Sequence, residues 1–260
     1  MDSESPLAFL LDEPDRSALL TDVDGTLCRI VGRPEMAKVP ALASRSLDAL
    51  ADRLALVACI TGRPARRART MVGVDSVTYF GNHGIELIRA GRESPAVMLD
   101  PDEAVRAREF VAAHDNPFWV AAGIRLEDKG PIQALHWRGA GERTEGMVKE
   151  IAAMADESGL ATHWGRKVLE LRPPGMEGKA GAVEVLLKGT DIRNVVFAGD
   201  DWTDLDAANR LREMERAGEI DRLLVIAVDS DEGPDELVEM ADVVLPDTDA
   251  WVAMVGELAS

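Results

Sequence analysis

Residues 18–27 read ALLTDVDGTL, so a short apolar run ends abruptly in two carboxylates, Asp22 and Asp24. An apolar run stopped by acids and a glycine is typical of a buried strand whose carboxyl end opens into a loop. In open α/β sheets, ligands bind at that edge. Acids at positions i and i+2 of an extended segment lie on the same side. They could hold a divalent cation together or act as nucleophile and proton donor, and an acidic turn is the alternative.

Hydrophobic periodicity divides the chain into two kinds of pattern. Strand and helix patterns alternate before residue 96 and after residue 175, which predicts a parallel sheet with helices on both faces. Between them, a helix–strand–strand pattern occurs twice and predicts an α+β unit built on antiparallel hairpins. We therefore expect an α/β fold, with a Rossmann-like core domain formed by residues 1–96 and 175–260 and an inserted α+β domain at 97–174.

Two further segments of the predicted core carry residues suited to phosphate. Thr61 and Gly62 follow the apolar run 54–60, and a hydroxyl beside a main-chain N–H can cradle a phosphoryl oxygen. Lys179 opens a predicted helix, where a cation is slightly unfavourable for the helix dipole, and that cost favours a functional role. A strand-ending turn and a solvated surface lysine are the alternatives.

A second acidic cluster, Asp200, Asp201 and Asp204, follows the apolar run 194–198. Acids this close repel one another unless a cation or a lysine neutralises them. Oxygen ligands in a small set suit Mg²⁺, which takes few carboxylates and retains waters. Acidic capping of the following helix is the alternative interpretation.

The spacing Asp22-x-Asp24-Gly25-Thr26 resembles the first motif of the haloacid dehalogenase-like phosphotransferases. The resemblance implies that Asp22 is a nucleophile that becomes an aspartyl-phosphate and that Asp24 is the general acid and base. It implies a Mg²⁺ cofactor and the following further roles: phosphate binding by Thr61, Gly62 and Lys179; metal binding by Asp22, Asp24 and Asp200; support of the metal and the lysine by Asp201 and Asp204.

From about residue 17 to 257, the chain resembles trehalose-6-phosphate phosphatases, and the resemblance implies that the inserted domain is the cap that selects the substrate. Beyond the core motifs, the matching stretches are GNHGIE at 81–86, LEDKG at 126–130, ALHWR at 134–138 and HWGRKVLELRPP at 163–174. Alternation puts Glu127 and Lys129 on one face of a strand, where a carboxylate and an ammonium can bind sugar hydroxyls. The resemblance implies sugar binding by Asn82, Glu127, Lys129, His163 and Glu170. For Trp119, Trp137 and Trp164, core packing is favoured over stacking on a sugar.

The resemblance implies a Mg²⁺-dependent phosphatase that hydrolyses trehalose 6-phosphate to trehalose and phosphate. One alternative is the same chemistry on another sugar phosphate, such as a sucrose, glucosylglycerol, mannosylglycerate-type or pseudo-disaccharide phosphate. A catalytically idle sugar-phosphate sensor is a second alternative. A phosphomutase is a third, although phosphomutases typically carry a small helical cap.

Composition limits the partners and the location. The formal net charge of −18 disfavours nucleic acid and anionic lipid, because both are polyanions. No apolar stretch is long enough to span a bilayer, and the N-terminus lacks the basic start of a secretory signal. Cys28 and Cys59 make no disulfide framework or zinc site. We expect a cytoplasmic protein with reduced thiols and a small-molecule substrate; the sequence does not fix the oligomeric state.

Overall fold

The computed structural model of the chain describes residues 5–98, 100–114, 117–165, 167–174, 178–230 and 233–260. The chain divides into two compact units, which we call the core unit (Met1–Ala96 with Glu177–Ser260) and the cap unit (Val97–Met176). The domain limits expected from the sequence, 1–96 with 175–260 and 97–174, stay a prediction. Gly175, where the second core segment is expected to begin, lies outside the described residues.

The chain contains both β-strands and α-helices, as a mixed α/β protein does. The strands are β1 (Ser17–Thr21), β2 (Leu56–Ile60), β3 (Thr78–Gly81), β4 (Glu86–Ile88), β5 (Ala96–Val97), β6 (Arg125–Lys129), β7 (Ile132–His136), β8 (Ala161–Gly165), β9 (Val168–Arg172), β10 (Asn194–Gly199), β11 (Arg222–Val228) and β12 (Val243–Leu245). The α-helices are α1 (Ala41–Ala51), α2 (Ala65–Val72), α3 (Pro101–His114), α4 (Pro117–Ala121), α5 (Glu142–Glu157), α6 (Gly178–Leu187), α7 (Trp202–Arg216), α8 (Asp235–Met240) and α9 (Thr248–Ala259).

A central sheet with the order β12-β11-β10-β1-β2-β3-β4-β5 organises the core unit. The strands from β12 to β3 pair in parallel, and β4 returns antiparallel beside β3. The predicted parallel-sheet α/β fold is confirmed. The short strands β4 and β5 and the short helices α4 and α8 were not predicted, because elements of two to six residues carry too few residues to show a periodicity.

Apolar residues cover both faces of the central sheet. All five residues of β1 are buried, and successive residues face opposite sides: Leu19 packs in one apolar cluster and Leu20 in another. The Leu19 cluster includes residues of α1, α2 and α9, and the Leu20 cluster includes residues of α6, α7 and α8. Burial on both faces explains why the parallel strands read as nearly continuous apolar runs.

The register of the sheet brings the polar ends of β1, β2 and β10 to one edge. Thr21 is paired with Ala198 on β10 and with Cys59 on β2. The N–H of Asp22 continues the ladder by donating to the Ala198 carbonyl at 2.9 Å. Residues that directly follow these strands therefore lie at the carboxyl edge of the sheet, where open α/β folds bind ligands.

The cap unit is a four-stranded antiparallel sheet with the order β6-β7-β9-β8, together with α3, α4 and α5. One face of the sheet packs on the helices through an apolar cluster that includes Leu135, Leu169 and Leu171. This arrangement confirms the predicted α+β pattern. No described helix is both long and apolar enough to cross a membrane.

Candidate active site

The ammonium group of Lys179, at the start of α6, is bonded to one carboxylate that follows β1 and to one in the first turn of α7. Its Nζ donates to Asp22 Oδ1 at 2.7 Å and to Asp204 Oδ1 at 2.8 Å, and Asp201 Oδ1 lies at 3.6 Å. The side chains of Lys179, Asp22 and Asp204 are 1%, 4% and 0% exposed. Lys179 stands in the first turn of a helix because the buried acids around it need a positively charged partner.

Asp200 is held by residues of the β1 loop. Its Oδ1 accepts a hydrogen bond of 2.9 Å from the Thr26 hydroxyl. Gly25 has φ = 91°, and a Cβ there would lie 2.0 Å from Asp200 Oδ2. Only glycine fits both conditions, because L side chains rarely adopt that backbone conformation and the space is already taken. The glycine of the first motif therefore lets the two acidic loops approach each other.

The loop after β10 is fixed by a reciprocal helix cap. Asp201 is the N-cap of α7, and its side chain accepts from the N–H of Asp204 at 2.9 Å. Asp204 Oδ2 in turn accepts from the N–H groups of Asp200 and Asp201. Helix capping and the Lys179 contact therefore occur together in this cluster, so the capping interpretation and the functional one do not exclude each other.

Burial and crowding disturb the ionisation of these acids. Burial raises the pKa of Asp22 to about 8, which Lys179 opposes and the Asp200 charge reinforces. Burial also raises the pKa of Asp200 to about 8, with Asp204 and Asp201 adding to the effect. Burial alone would lower the pKa of Lys179, but Asp201, Asp204 and Asp22 raise it well above its usual value. A further positive charge is therefore favourable here.

Three of these side chains offer a ligand set for a cation. Carboxylate oxygens of Asp22, Asp200 and Asp204 all lie within 4.8 Å of one another, and all three residues are buried. An all-oxygen carboxylate set of this size suits a hard divalent cation. Asp24 does not join this group, because both of its carboxylate oxygens are bonded to Arg63. Its main-chain carbonyl is the remaining oxygen that Asp24 could offer.

Thr61 and Gly62 lie at the end of β2 beside the loop that follows β3. Thr61 is buried, and its hydroxyl oxygen accepts from the N–H of Arg63 at 3.2 Å. Within the described part of the chain, the N–H of Gly62 has no acceptor. A Cβ on Gly62 would lie 2.5 Å from the His83 ring. The turn is therefore closely packed against His83, and its Thr61 hydroxyl and Gly62 N–H can bind an anion.

Asn82 and His83 connect this turn to the start of α6. Both have left-handed backbone conformations, with φ of 48° and 53°, which is uncommon for residues other than glycine. The Asn82 N–H donates to the Arg63 carbonyl, and the His83 N–H donates to the Thr61 carbonyl. A Cβ on Gly84 would lie 2.4 Å from the Gly178 carbonyl. The buried Asn82 therefore belongs to a loop that joins β2, β3 and α6.

We expect Glu86→Ala to destabilise the protein by about 1 kcal/mol, because α2 would lose the side-chain cap that Glu86 provides. The helix begins after Pro64, which offers no capping side chain, and Glu86 Oε2 on β4 accepts from the N–H of Ala65 at 2.9 Å. Denaturant unfolding would measure the loss, with the exposed Glu93→Ala as control. Equal stability of the two variants would contradict the capping role.

In the cap unit, the polar residues predicted to bind a sugar share one face of the sheet. Glu127, Ala134, Glu170 and His163 are cross-strand neighbours in register. Lys129 Nζ donates to Glu170 Oε1 at 2.9 Å. Of the five residues predicted for this role, Glu127, Lys129, His163 and Glu170 lie in the cap unit and Asn82 lies in the core unit.

Two partners fix the carboxylates of this face. Arg172 donates to Glu170 Oε2 through Nε at 3.1 Å and Nη2 at 2.7 Å, so both oxygens of Glu170 have cationic partners. The hydrogen bond of 2.7 Å between His136 Nε2 and Glu127 Oε2 lowers the pKa of Glu127. The face therefore presents both acceptors and donors in fixed positions, as binding of a polyhydroxylated ligand requires.

The three tryptophans of the cap unit differ in burial. Trp119 and Trp137 are 6% and 3% exposed and belong to the apolar cluster, which confirms the expectation of core packing. The same expectation is wrong for Trp164, which is 44% exposed and meets Trp137 edge to face at 6.1 Å. Trp164 lies near the end of β8, one residue before the strand ends at Gly165.

Sequence reasoning missed three residues that the structure connects to the site. Thr26 bonds Asp200, Arg63 bonds Asp24, and Glu86 caps α2. Thr26 belongs to the first motif, Arg63 directly follows the predicted Thr61–Gly62 turn, and Glu86 ends the matching stretch 81–86, so closeness to predicted residues was the available signal. Glu86 lies 21 residues from the N–H that it caps, and no spacing rule predicts such a contact.

The fold of the chain, which places acids and a lysine at the carboxyl edge of a parallel sheet, is shared with solved proteins. A solved haloacid dehalogenase-like hydrolase from Bacteroides thetaiotaomicron has this fold, with a TM-score of 0.62 and 16% identity over 93% of this chain and 99% of that one. The chain belongs to the trehalose-phosphatase family, whose model matches residues 20–236.

Two relatives of known sequence illustrate the extent of the similarity. An uncharacterized glycosyl hydrolase of Mycobacterium tuberculosis is 34% identical over 76% of this chain and 15% of its own length. Trehalose-phosphate phosphatase B of Arabidopsis thaliana is 29% identical over 75% of this chain and 56% of its own length. The chain therefore spans about half, or much less, of the length of these relatives.

Proposed function

We propose that the protein hydrolyses trehalose 6-phosphate to trehalose and inorganic phosphate through an aspartyl-phosphate on Asp22. The observation that carries the proposal is the buried Lys179 bridge between Asp22 and Asp204 at the carboxyl edge of the sheet. The bridge engages Asp22 Oδ1, and no described residue donates to Oδ2. An oriented carboxylate with one oxygen available is what a nucleophile in phosphoryl transfer requires.

In the first step, Asp22 Oδ2 attacks phosphorus while the bond between phosphorus and the sugar oxygen breaks. The leaving oxygen takes the proton of the Asp24 carboxyl group. In the second step, the Asp24 carboxylate removes a proton from water, and the water oxygen attacks phosphorus. The bond to Asp22 breaks, phosphate leaves, and Asp24 regains the proton that it gave to the sugar.

Thr61, Gly62 and Lys179 bind the transferring group in this proposal. The Thr61 hydroxyl and the Gly62 N–H lie together at the end of β2 and suit phosphoryl oxygens. Lys179 neutralises Asp22 before attack and opposes negative charge as it develops on the phosphoryl group. Asp201 and Asp204 hold Lys179 from the other side.

We propose Mg²⁺ as the cofactor, held by Asp22 and Asp200 with Asp204 close by. The fit rests on their buried oxygens and on an acid excess that one lysine does not neutralise. When bound, Mg²⁺ supplies positive charge that stabilises the transferring phosphoryl group. Direct ligation by Asp24 stays a prediction.

We expect Mg²⁺ to raise the thermal midpoint of the protein and Asp200→Asn to remove most of that shift. The variant removes one charged ligand, so the affinity for a hard cation falls. Differential scanning fluorimetry with and without Mg²⁺ measures the shift independently of activity. Asp229→Asn, an exposed acid at the end of β11, is the matched control. Equal Mg²⁺ shifts in the two variants would contradict the assigned ligands.

We propose that the polar face of the cap unit binds the sugar hydroxyls. Its support is a fixed set of polar groups, in which Lys129 and Arg172 contact Glu170 and His136 contacts Glu127. His163 belongs to the same cross-strand row. A sugar-binding role for Asn82 stays a prediction. The cytoplasmic location and the lack of nucleic-acid or membrane partners also stay predictions from composition.

We expect Lys129→Met to raise KM for trehalose 6-phosphate roughly tenfold or more, because a buried hydrogen bond to a ligand hydroxyl would be lost. Activity on 4-nitrophenyl phosphate, which carries no sugar, is expected to stay near the wild-type value. Lys149→Met on the exposed side of α5 is the control. A parallel loss on both substrates would argue against a sugar contact.

Phosphate release with Mg²⁺ from a panel of esters tests the proposed function. The panel contains trehalose 6-phosphate, sucrose 6-phosphate, glucose 6-phosphate and 4-nitrophenyl phosphate. A lead of orders of magnitude for trehalose 6-phosphate supports the proposal. A lead for another sugar phosphate retains the mechanism and overturns the substrate. Binding without turnover would favour a sugar-phosphate sensor, and activity that needs a bisphosphate activator would favour a phosphomutase.

A further inference from the structure

The guanidinium group of Arg63 binds the Asp24 carboxylate through two parallel hydrogen bonds. Nε lies 2.5 Å from Oδ2, and Nη2 lies 2.6 Å from Oδ1. The two side chains are 14% and 31% exposed. A two-point contact between planar groups fixes the orientation of the carboxylate as well as its position, which a lysine could not do.

Arg63 is itself held on two sides. Its Nη1 donates at 3.0 Å to the carbonyl of Pro34, the first residue of a short 3₁₀ turn at Pro34–Met36. Its main-chain N–H donates to the Thr61 hydroxyl oxygen at 3.2 Å. The guanidinium group is therefore anchored to the loop that follows β1, and its backbone is anchored to the turn that follows β2.

We propose that Arg63 is a positioning residue that holds the Asp24 carboxylate in one orientation for both of its proton transfers. The inference deepens the proposed phosphatase function and rests on it. Arg63 directly follows the Thr61–Gly62 turn that is predicted to bind phosphate. Its guanidinium group contacts Asp24, in the loop that follows β1.

The contact leaves Asp24 able to react. A carboxylate has about four lone-pair sites, and the two hydrogen bonds from Arg63 occupy one on each oxygen. The Cys28 thiol lies 3.9 Å from Oδ1 as a weak donor, so the second site of Oδ2 remains for the sugar oxygen or for water. Without Arg63, Asp24 could rotate about its side-chain torsions, and misplacement by about 1 Å can cost a reaction roughly 100-fold.

The test compares Arg63→Ala with Arg67→Ala, both with Mg²⁺. Arg67 lies on α2, which begins two residues after Arg63, and touches the carbonyl of Glu35, so the control removes the same charge beside the same loop. With trehalose 6-phosphate, we expect Arg63→Ala to lower kcat roughly 100-fold while KM changes by less than about threefold. Arg67→Ala is expected to resemble the wild type, and Arg63→Lys to fall between them.

A second substrate separates positioning of Asp24 from a general structural role. The 4-nitrophenolate leaving group needs no proton, so its release should stay fast in Arg63→Ala, whereas hydrolysis of the aspartyl-phosphate still needs Asp24 as a base. Rapid-quench measurements should therefore show a burst of about one nitrophenol per active site and then a slow steady state. A scaffold defect would slow both phases.

Several results would overturn the inference. They are equal kinetics in Arg63→Ala and Arg67→Ala, a rise in KM alone, or a uniform loss without a burst. If the wild-type protein releases phosphate from neither substrate, the proposed function fails separately. Crystal structures of the two variants then decide the inference: several Asp24 orientations in Arg63→Ala alone support it, and one unchanged orientation contradicts it.

Discussion

Asp22→Asn is expected to abolish phosphate release from every substrate, with kcat reduced on the order of 10⁴-fold or more. An amide oxygen is a far weaker nucleophile than a carboxylate, so no aspartyl-phosphate can form at a useful rate. The substitution keeps the size of the side chain and its oxygen facing Lys179. The measurement is single-turnover phosphate release with Mg²⁺, and wild-type-like turnover would contradict the nucleophile assignment.

The same substitution is expected to stabilise the metal-free protein as the pH rises. Burial raises the pKa of Asp22 to about 8, above its usual value near 3.8. A carboxyl group with a raised pKa in the folded state contributes stability that is fully present below the unfolded pKa. That stability is lost as the pH rises through the folded pKa. An amide cannot ionise, so the thermal midpoint of Asp22→Asn should gain on the wild type between pH 5 and pH 9.

Asp24→Asn serves as the control for this pair of effects. It also removes a catalytic carboxyl group, but Asp24 is partly exposed and already paired with Arg63, so no relief of buried charge is expected. Inactivity of both variants together with a pH-dependent gain for Asp22→Asn alone would fit the assigned roles. A gain for neither variant would contradict the account of a crowded, metal-free acid cluster.

The central sheet and the strand-end motifs could be predicted because they depend on local sequence. Strands buried on both faces read as apolar runs, and the residue that ends each run is assigned at once to the carboxyl edge. Asp22, Thr61 and Asp200 follow β1, β2 and β10 in this way. Because β10, β1 and β2 are neighbours in the sheet, the residues that follow these strands lie close together.

Apart from the support of Lys179 by Asp204, which the family resemblance implies, contacts between motifs could not be predicted, because they depend on side-chain torsions and loop paths rather than on spacing. Phosphate binding was predicted for Thr61 and Gly62, and no role was assigned to Arg63, whose side chain reaches Asp24. Metal binding by Asp24 stays a prediction, and the structure brings the carboxylate of Asp204 close to those of Asp22 and Asp200. Alternation on a strand gives the face of a residue but not its partners, so the exposed Trp164 was also misjudged.

Lys179→Met is expected to lower both activity and stability, which distinguishes it from Asp22→Asn. Removing the ammonium group leaves Asp22 and Asp204 buried without their cationic partner, a change that typically costs about 3–5 kcal/mol. Activity should fall on the order of 10²–10³-fold, because charge on the phosphoryl group loses a fixed partner. Denaturant unfolding and steady-state kinetics measure the two losses separately.

The pH dependence of that destabilisation gives the sharper test. Lys179 opposes the rise in the pKa of Asp22 and Asp204, so its removal raises their folded pKa further and extends the range over which ionisation costs stability. The loss should therefore grow as the pH rises through about 8, the pKa of Asp22 in the wild type, and be larger at pH 9 than at pH 6, where the acids bind protons in both proteins. Lys188→Met, an exposed lysine just beyond α6, should change neither quantity. A pH-independent loss would mean that Lys179 acts through packing rather than by neutralising the acids.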